Sequence, residues 1–330
     1  MRRMGTVPEN GGGDTRGGWV RAAGRALWPL ALLALSGCDG IELLDPKGAI
    51  GEQEKTLILL ALGLMLLVVI PVMVLTLVFA WRYREGNPKA TYAPKWAHSN
   101  RIEVVVWSIP CCIIIFLGLL IWRTTHELDP YRPLESKVAP VRVEVVALNW
   151  KWLFIYPDYG VASVNRLELP VDTPVNFTLT AQSMMNSFFI PQLGSQVYAM
   201  AGMRTQLHLI ANQPGTYAGL SSAFSGPGFS DMHFDAVAAD RAGFDAWIAQ
   251  AQAAPAILDA GVYRALEAPS VKHPVTLYSA VEPDLFDRIV DQFMPAMTPN
   301  DKLALCTAPR ATAQGPSTPK STPKPSSVTE

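Results

Sequence analysis

Metal and thiol chemistry ask for Cys and His in close, repeated spacing, and the chain's four Cys and five His do not offer it. Cys111 and Cys112 stand inside an apolar run, Cys306 is alone near the end, and Cys38 follows Ser36-Gly37. His98, His126, His208, His233 and His273 are scattered singly. Met184, Met185, Met200, Met203 and Met232 are soft sulfur donors, but thioethers alone bind metal weakly and read as core or surface side chains. Two residues carry chemistry by position. Cys38 has a lone thiol behind two small residues at the end of a short apolar run. Glu103 stands at the edge of an apolar stretch, where an ionisable group is a candidate proton-uptake site. The simpler reading of Glu103 is a carboxylate that snorkels to water.

The elements that must position these residues are membrane elements. The composition is 49% hydrophobic and only 17% charged, against the ~25% charge usual for soluble domains. Lys+Arg (27) and Asp+Glu (28) nearly cancel, which leaves no electrostatic footprint for nucleic acid. Arg2, Arg3, Arg16, Arg21 and Arg25 precede a short apolar run, Ala26–Leu35, and then Ser36-Gly37-Cys38. That order predicts a secretory signal over 1–37, whose apolar run is too short to span a bilayer. Its end, Leu35-Ser36-Gly37-Cys38, resembles a bacterial lipobox, which implies a diacylated Cys38 at the mature N-terminus. Asp39 after it implies retention in the inner membrane.

After an external segment, 38–55, two charge-free stretches follow, between Lys55 and Arg82 and between Glu103 and Arg123. They predict a transmembrane hairpin over 56–122. Pro71 is tolerated there because water and neighbouring helices satisfy the freed carbonyl. The loop 82–101 holds Arg82, Arg84, Lys89, Lys95 and Arg101 against Glu85, whereas Asp39, Glu42, Asp45, Glu52 and Glu54 precede the first span. Positive-inside bias places the loop in the cytoplasm and both flanks outside.

From Val141 the pattern alternates: Val141-Arg142-Val143-Glu144-Val145-Val146, Asn176–Thr180 and Gln206–Ile210, punctuated by Pro157-Asp158-Tyr159-Gly160 and Asn212-Gln213-Pro214-Gly215. Short strands with regular turns predict an antiparallel sandwich or barrel over 123–239. Phe244, Trp247, Ile248 and Ala251 fall on one helical face, and a second helix is expected near Asp284–Phe293, in a helical arm over 240–306. Residues 307–330, rich in Pro, Thr, Ser and Lys, predict a disordered tail.

Four stretches, taken together, resemble subunit II of the haem–copper respiratory oxidases, in the ubiquinol-oxidising, cytochrome bo branch. They are Trp96-Ala97-His98-Ser99-Asn100 through Glu103, Trp107 and Pro110; Asn149-Trp150-Lys151-Trp152-Leu153-Phe154-Ile155-Tyr156-Pro157; Gln192–Met200; and Ser225-Gly226-Pro227-Gly228-Phe229-Ser230. The resemblance implies a two-helix membrane hairpin followed by a cupredoxin-like β-sandwich with C-terminal helices. In the cytochrome c branch this domain holds a dinuclear copper centre, with one upstream His and a loop Cys-x-Glu-x-Cys-x3-His-x2-Met. Aligned on Gly226 and Met232, this chain has Ser221, Ala223, Ser225 and Phe229 at the Cys, Glu, Cys and His positions. Asn186 stands at the upstream His position, and only Met232 is retained.

The expectation is that this chain binds no metal or cofactor, the haems and copper being carried by partner subunit I. Trp150, Trp152, Phe154 and Tyr156, in the region of electron entry in the copper-bearing branch, are expected to serve only at an interface. The resemblance implies a proton-pumping ubiquinol oxidase complex, in which this chain has no catalytic centre and contributes structure and assembly. Its partners would be subunit I, further small membrane subunits, membrane lipid and, for the whole complex, ubiquinol. A free-standing lipoprotein with a cupredoxin shell is the alternative from another class. A cytochrome c oxidase subunit would need the missing Cys pair.

Overall fold

The computed structural model describes residues 42–91, 93, 95 and 99–293. The expected leader, Cys38, His98, Cys306 and the tail lie outside the described residues. Two long helices come first, α1 (Ala49–Arg82) and α2 (Asn100–Glu127). Both are long and apolar enough to cross a membrane, and neither buries its apolar window in the protein. Each outruns its charge-free stretch. α1 gains a turn at its start, where Ile50 and Gly51 are buried against the sandwich, and α2 continues past Arg123 to Glu127 with its last turn largely exposed.

The strands follow in chain order as β1 (Val141–Leu148), β2 (Lys151–Tyr156), β3 (Val161–Val164), β4 (Arg166–Pro170), β5 (Val175–Ala181), β6 (Asn186–Ile190), β7 (Gly194–Ala199), β8 (Thr205–Leu209), β9 (Gly215–Ser221) and β10 (His233–Ala239). After α3 (Arg241–Gln252) come β11 (Ile257–Leu258), α4 (Ala260–Glu267), β12 (Thr276–Tyr278), β13 (Ala280–Val281) and α5 (Leu285–Asp291). A six-stranded sheet, β12-β3-β2-β1-β5-β8, faces a five-stranded sheet, β4-β10-β9-β6-β7. Most neighbours run antiparallel, while β1–β5 and β10–β4 are parallel. The C-terminal arm is not purely helical, since β12 completes the larger sheet by pairing with β3.

The alternation of β1 explains the layers. Val143 and Val145 face the other sheet, together with Trp152, Phe154 and Tyr156 of β2. Phe188 and Phe234 answer from the smaller sheet, stacked with centroids 5.2 Å apart, and Trp152 meets Phe188 edge-on at 5.3 Å. The other face of the larger sheet is buried as well. Val146, Leu148, Leu153 and Ile155 pack under Tyr263, Leu266, Phe286, Ile289 and Val290 of the arm. β2 therefore reads as the unbroken run Trp152–Tyr156, because a strand buried on both faces has no polar side to show. This corrects the expectation for the aromatic group. Trp152, Phe154 and Tyr156 are fully buried core residues, and only Trp150 is partly exposed.

The start of α1 fixes the domain's orientation. Lys47 N–H donates to Gln192 O (2.7 Å), Gly51 N–H to Leu193 O (3.1 Å), and Ser195 N–H to the Glu54 carboxylate (3.0 Å). Helix and strand thus advance together, so α1 passes β7 in the strand's own direction. The end of the sandwich where β7 finishes points the way the helix travels, toward its apolar span.

Candidate functional site

Four loops gather at that end: Asn149–Trp150 between β1 and β2, 182–185, 200–204, and 222–232 between β9 and β10. The resemblance places four of the copper-bearing branch's six ligand positions, Ala223, Ser225, Phe229 and Met232, in the last of them, and the structure brings all six together. Asn186 opens β6 and Ser221 closes β9, both buried. The Ser221 hydroxyl donates toward Asn186 Oδ1 (3.2 Å) and Ala223 O (3.3 Å), and it accepts from Ser187 N–H (3.4 Å). Asn186 Nδ2 donates to Met184 O (3.1 Å). Ser225 is buried with its hydroxyl 4.0 Å from Met232 Sδ, a residue only 1% exposed.

The donors at these positions are thus two hydroxyls, a carboxamide and a thioether, each already turned to a protein neighbour. Among the described residues no group of three or more His, Cys, Asp or Glu is placed to hold a metal ion.

Trp150 holds the loop from the other side. Its backbone is left-handed (φ 64°), its indole N–H donates to Ser225 O (3.0 Å), and its ring lies against Gly228. A Cβ at Gly228 would come 2.3 Å from that ring, so the loop can approach only as glycine. Phe229 and Phe224 meet edge to face at 5.5 Å, and Phe224 is 77% exposed. Met184, Met185, Met203 and Tyr198 are about half exposed around them. The site thus has no open donor set. It presents a methionine and aromatic surface, the composition of a protein-binding face.

Glu103 is nowhere near this cluster. It is exposed in the first turn of α2, about 36 Å along the helix from Glu127. His208 and His233 are also apart: His208 meets Pro130 O (3.1 Å), and His233 meets Ser230 O (2.6 Å). Burial lowers the pKa of His208.

Sequence reasoning missed Lys151, which is 1% exposed. Its ammonium donates to Ala268 O (2.8 Å) and Ser270 Oγ (2.6 Å), just past the C-terminal end of α4, while burial lowers its pKa. Asn149 Nδ2 to Glu267 O (3.1 Å) and Asn165 Nδ2 to His273 O (2.8 Å) add further side-chain ties between sandwich and arm. The one available signal was a lysine set between two tryptophans in an otherwise apolar strand.

Comparison with known proteins agrees with this architecture. The family described as Cytochrome C oxidase subunit II, periplasmic domain, matches residues 158–238, and the COX Aromatic Rich Motif matches 252–297. The chain is 56% identical over 261 residues to the cytochrome bo(3) ubiquinol oxidase subunit 2 of Pseudomonas aeruginosa, covering 79% of this chain and 78% of that one. It is 51% identical over 267 residues to the ubiquinol oxidase subunit 2 of Acetobacter aceti, covering 80% and 86%. The crystal structure of the periplasmic domain of cytochrome oxidase subunit II from Bradyrhizobium japonicum is 20% identical, with a TM-score of 0.33, and covers 35% of this chain and 96% of that one. The sequence relatives carry the assignment. With two membrane helices and a periplasmic sandwich, the chain belongs to the subunit II family of haem–copper oxidases, in its quinol-oxidase branch, and is a component of an oxidoreductase complex.

Proposed function

We propose that this chain is the non-redox second subunit of a proton-pumping ubiquinol oxidase, which couples ubiquinol oxidation to reduction of oxygen to water. The observation that carries this reading is the pair Ser221 and Ser225. A dinuclear copper centre needs two bridging thiolates at these positions, because soft sulfur shares its charge between both metals. Here stand two neutral hydroxyls, one turned to Asn186 and Ala223 and the other to Met232. Ala223 and Phe229 offer no side-chain donor, and Asn186 offers an amide in place of an imidazole. This donor set does not fit the metal centre, so no electron step is routed through the domain.

The chain's contribution is then architectural. The face formed by Met184, Met185, Met203 and Phe224 points toward the membrane and would seat on the outer loops of subunit I, which would hold the haems and copper. The wide exposure of both helices fits packing against partner subunits and lipid. Acylation at Cys38 would add an anchor in the outer leaflet of the inner membrane. Glu103, at the cytoplasmic end of α2, is the chain's candidate for proton entry.

Purification of the complex through this subunit, followed by oxygen consumption with ubiquinol and with reduced cytochrome c, tests the reading. Turnover with ubiquinol alone is expected. Turnover with cytochrome c would reveal an electron-entry site and overturn it. In the same preparation Glu103→Gln is expected to lower protons pumped per electron, and unchanged pumping and turnover would remove Glu103 from the proposal.

A further inference from the structure

A cavity of about 310 Å³ lies where the outer ends of α1 and α2 meet the sandwich. Ile50 and Gln53 of α1, Glu127 at the end of α2, and Arg132 and Glu135 of the following linker line it, with His208 of β8 behind. The Pro130 carbonyl against the His208 ring fixes the linker as its outer wall.

Its height above the membrane can be read along α2. The charge-free stretch ends at Trp122, and Glu127 stands about 7 Å further out at 1.5 Å per residue. A bilayer has a ~30 Å hydrocarbon core within a total of ~40–45 Å, so each headgroup layer is about 5–8 Å deep. The cavity therefore opens within the outer headgroup layer, beside two helices whose apolar surfaces below it are exposed.

Its charges are mixed, and the ion pairs of Glu127 and Arg132 are long. Arg132 reaches Glu135 only at 4.0 Å, and Glu127 reaches Arg123 at 3.6 Å, all on exposed side chains. Asp129, also in the lining, accepts from Tyr131 N–H. Gln53 adds an uncharged amide. Carboxylates outnumber the one lining guanidinium, so a net-anionic ligand is repelled, while a ligand with both an ammonium and a phosphate is matched.

We propose that this junction binds the headgroup of a zwitterionic aminophospholipid of the outer leaflet. Glu127 and Glu135 receive the ammonium, Arg132 and Gln53 receive the phosphate, and the acyl chains run down the apolar surfaces of α1 and α2. The lipid would fill the wedge between hairpin and sandwich and steady the angle between them.

The test uses the intact complex purified through this chain, with native mass spectrometry during titration with phosphatidylethanolamine and, separately, phosphatidylglycerol. Glu127→Gln combined with Glu135→Gln should abolish one phosphatidylethanolamine site, seen as at least a tenfold weaker final binding step, and leave phosphatidylglycerol uptake unchanged. Gln53→Trp, which fills the cavity without altering its charge, should remove the same site. Equal lipid counts in the wild type and both variants would overturn the proposal, as would a site that takes phosphatidylglycerol equally well. Displacement by soluble glycerophosphoethanolamine at the same concentration as the lipid would show a free-headgroup site and overturn the membrane source.

Discussion

Lys151→Met should free the C-terminal arm while leaving the inter-sheet core folded. The ammonium is buried in β2 and donates to Ala268 O and Ser270 Oγ, where the last carbonyls of α4 also present the negative end of the helix dipole. Methionine keeps the stem's volume but removes the charge-assisted donors, worth about 1.5–3 kcal/mol each in comparable settings, and strands a carbonyl. The buried amine already carries a desolvation cost, which is why its pKa is lowered, so the net loss is smaller than that sum, about 2–4 kcal/mol. Cleavage that follows the open population should then speed up by about 30- to 1,000-fold between α3 and α5. Limited proteolysis of the purified complex reads this directly. Lys272→Met, at an exposed lysine 3.7 Å from Asp231, should change nothing.

The same assay has a pH signature at the arm's other end. Glu144 of β1 lies between the Arg142–Asp158 pair and the Arg204–Asp287 pair that ties α5 down. Burial, and then the nearby Asp287 carboxylate, lift its pKa from 4.5 to about 7. A carboxyl whose folded pKa is raised binds its proton more tightly in the docked state. Docking is therefore undiminished below the unfolded value and weakens as pH rises through about 7. Arm release in the wild type should accelerate from pH 5 to pH 8, and Glu144→Gln should flatten that profile. A pH-independent rate would remove Glu144 from the arm's attachment.

How much of this was visible beforehand depends on the range of the interaction. The two membrane helices announce themselves in local composition, and β1, β5 and β8 of the larger sheet in local alternation. The six ligand positions came from the resemblance, residue by residue: Asn186 at the start of β6, Ser221 at the end of β9, and Ala223, Ser225, Phe229 and Met232 in the loop after it. Their neighbours did not. That Ser225 meets Met232 while Trp150 grips the same loop is a matter of tertiary approach across a turn and a separate hairpin. Lys151 finds its partners more than a hundred residues away, and nothing in Trp150-Lys151-Trp152 says that an arm will cover that face of the sheet. The assignment of Trp152, Phe154 and Tyr156 to an interface failed for this reason: the run is apolar because both faces of β2 are covered within the same chain.

Gly194→Ala should give the other large effect, at the joint between α1 and the sandwich. Gly194 opens β7 at φ +106°, a backbone region that side-chain-bearing residues rarely enter. A Cβ there would stand 2.7 Å from Gly51 N and 3.1 Å from its Cα. These are backbone atoms of the first helical turn, so no rotamer change relieves the contact. Either the strand start or the helix must move, and both are bound to each other through Gly51 N–H to Leu193 O and Ser195 N–H to Glu54. Backbone strain of about 1–3 kcal/mol, added to the loss of these bonds, puts the local cost at about 3 kcal/mol or more. Gly160→Ala separates the two causes. Gly160 has φ +69° with nothing within 4 Å of an added methyl, so it should cost only the conformational part, about 1 kcal/mol. Hydrogen exchange at Gly51 and Ser195 in the intact complex reads the joint itself. Protection there should fall by about two orders of magnitude in Gly194→Ala and stay unchanged in Gly160→Ala. Equal protection in both variants would mean that helix and sandwich are held together by contacts outside this joint.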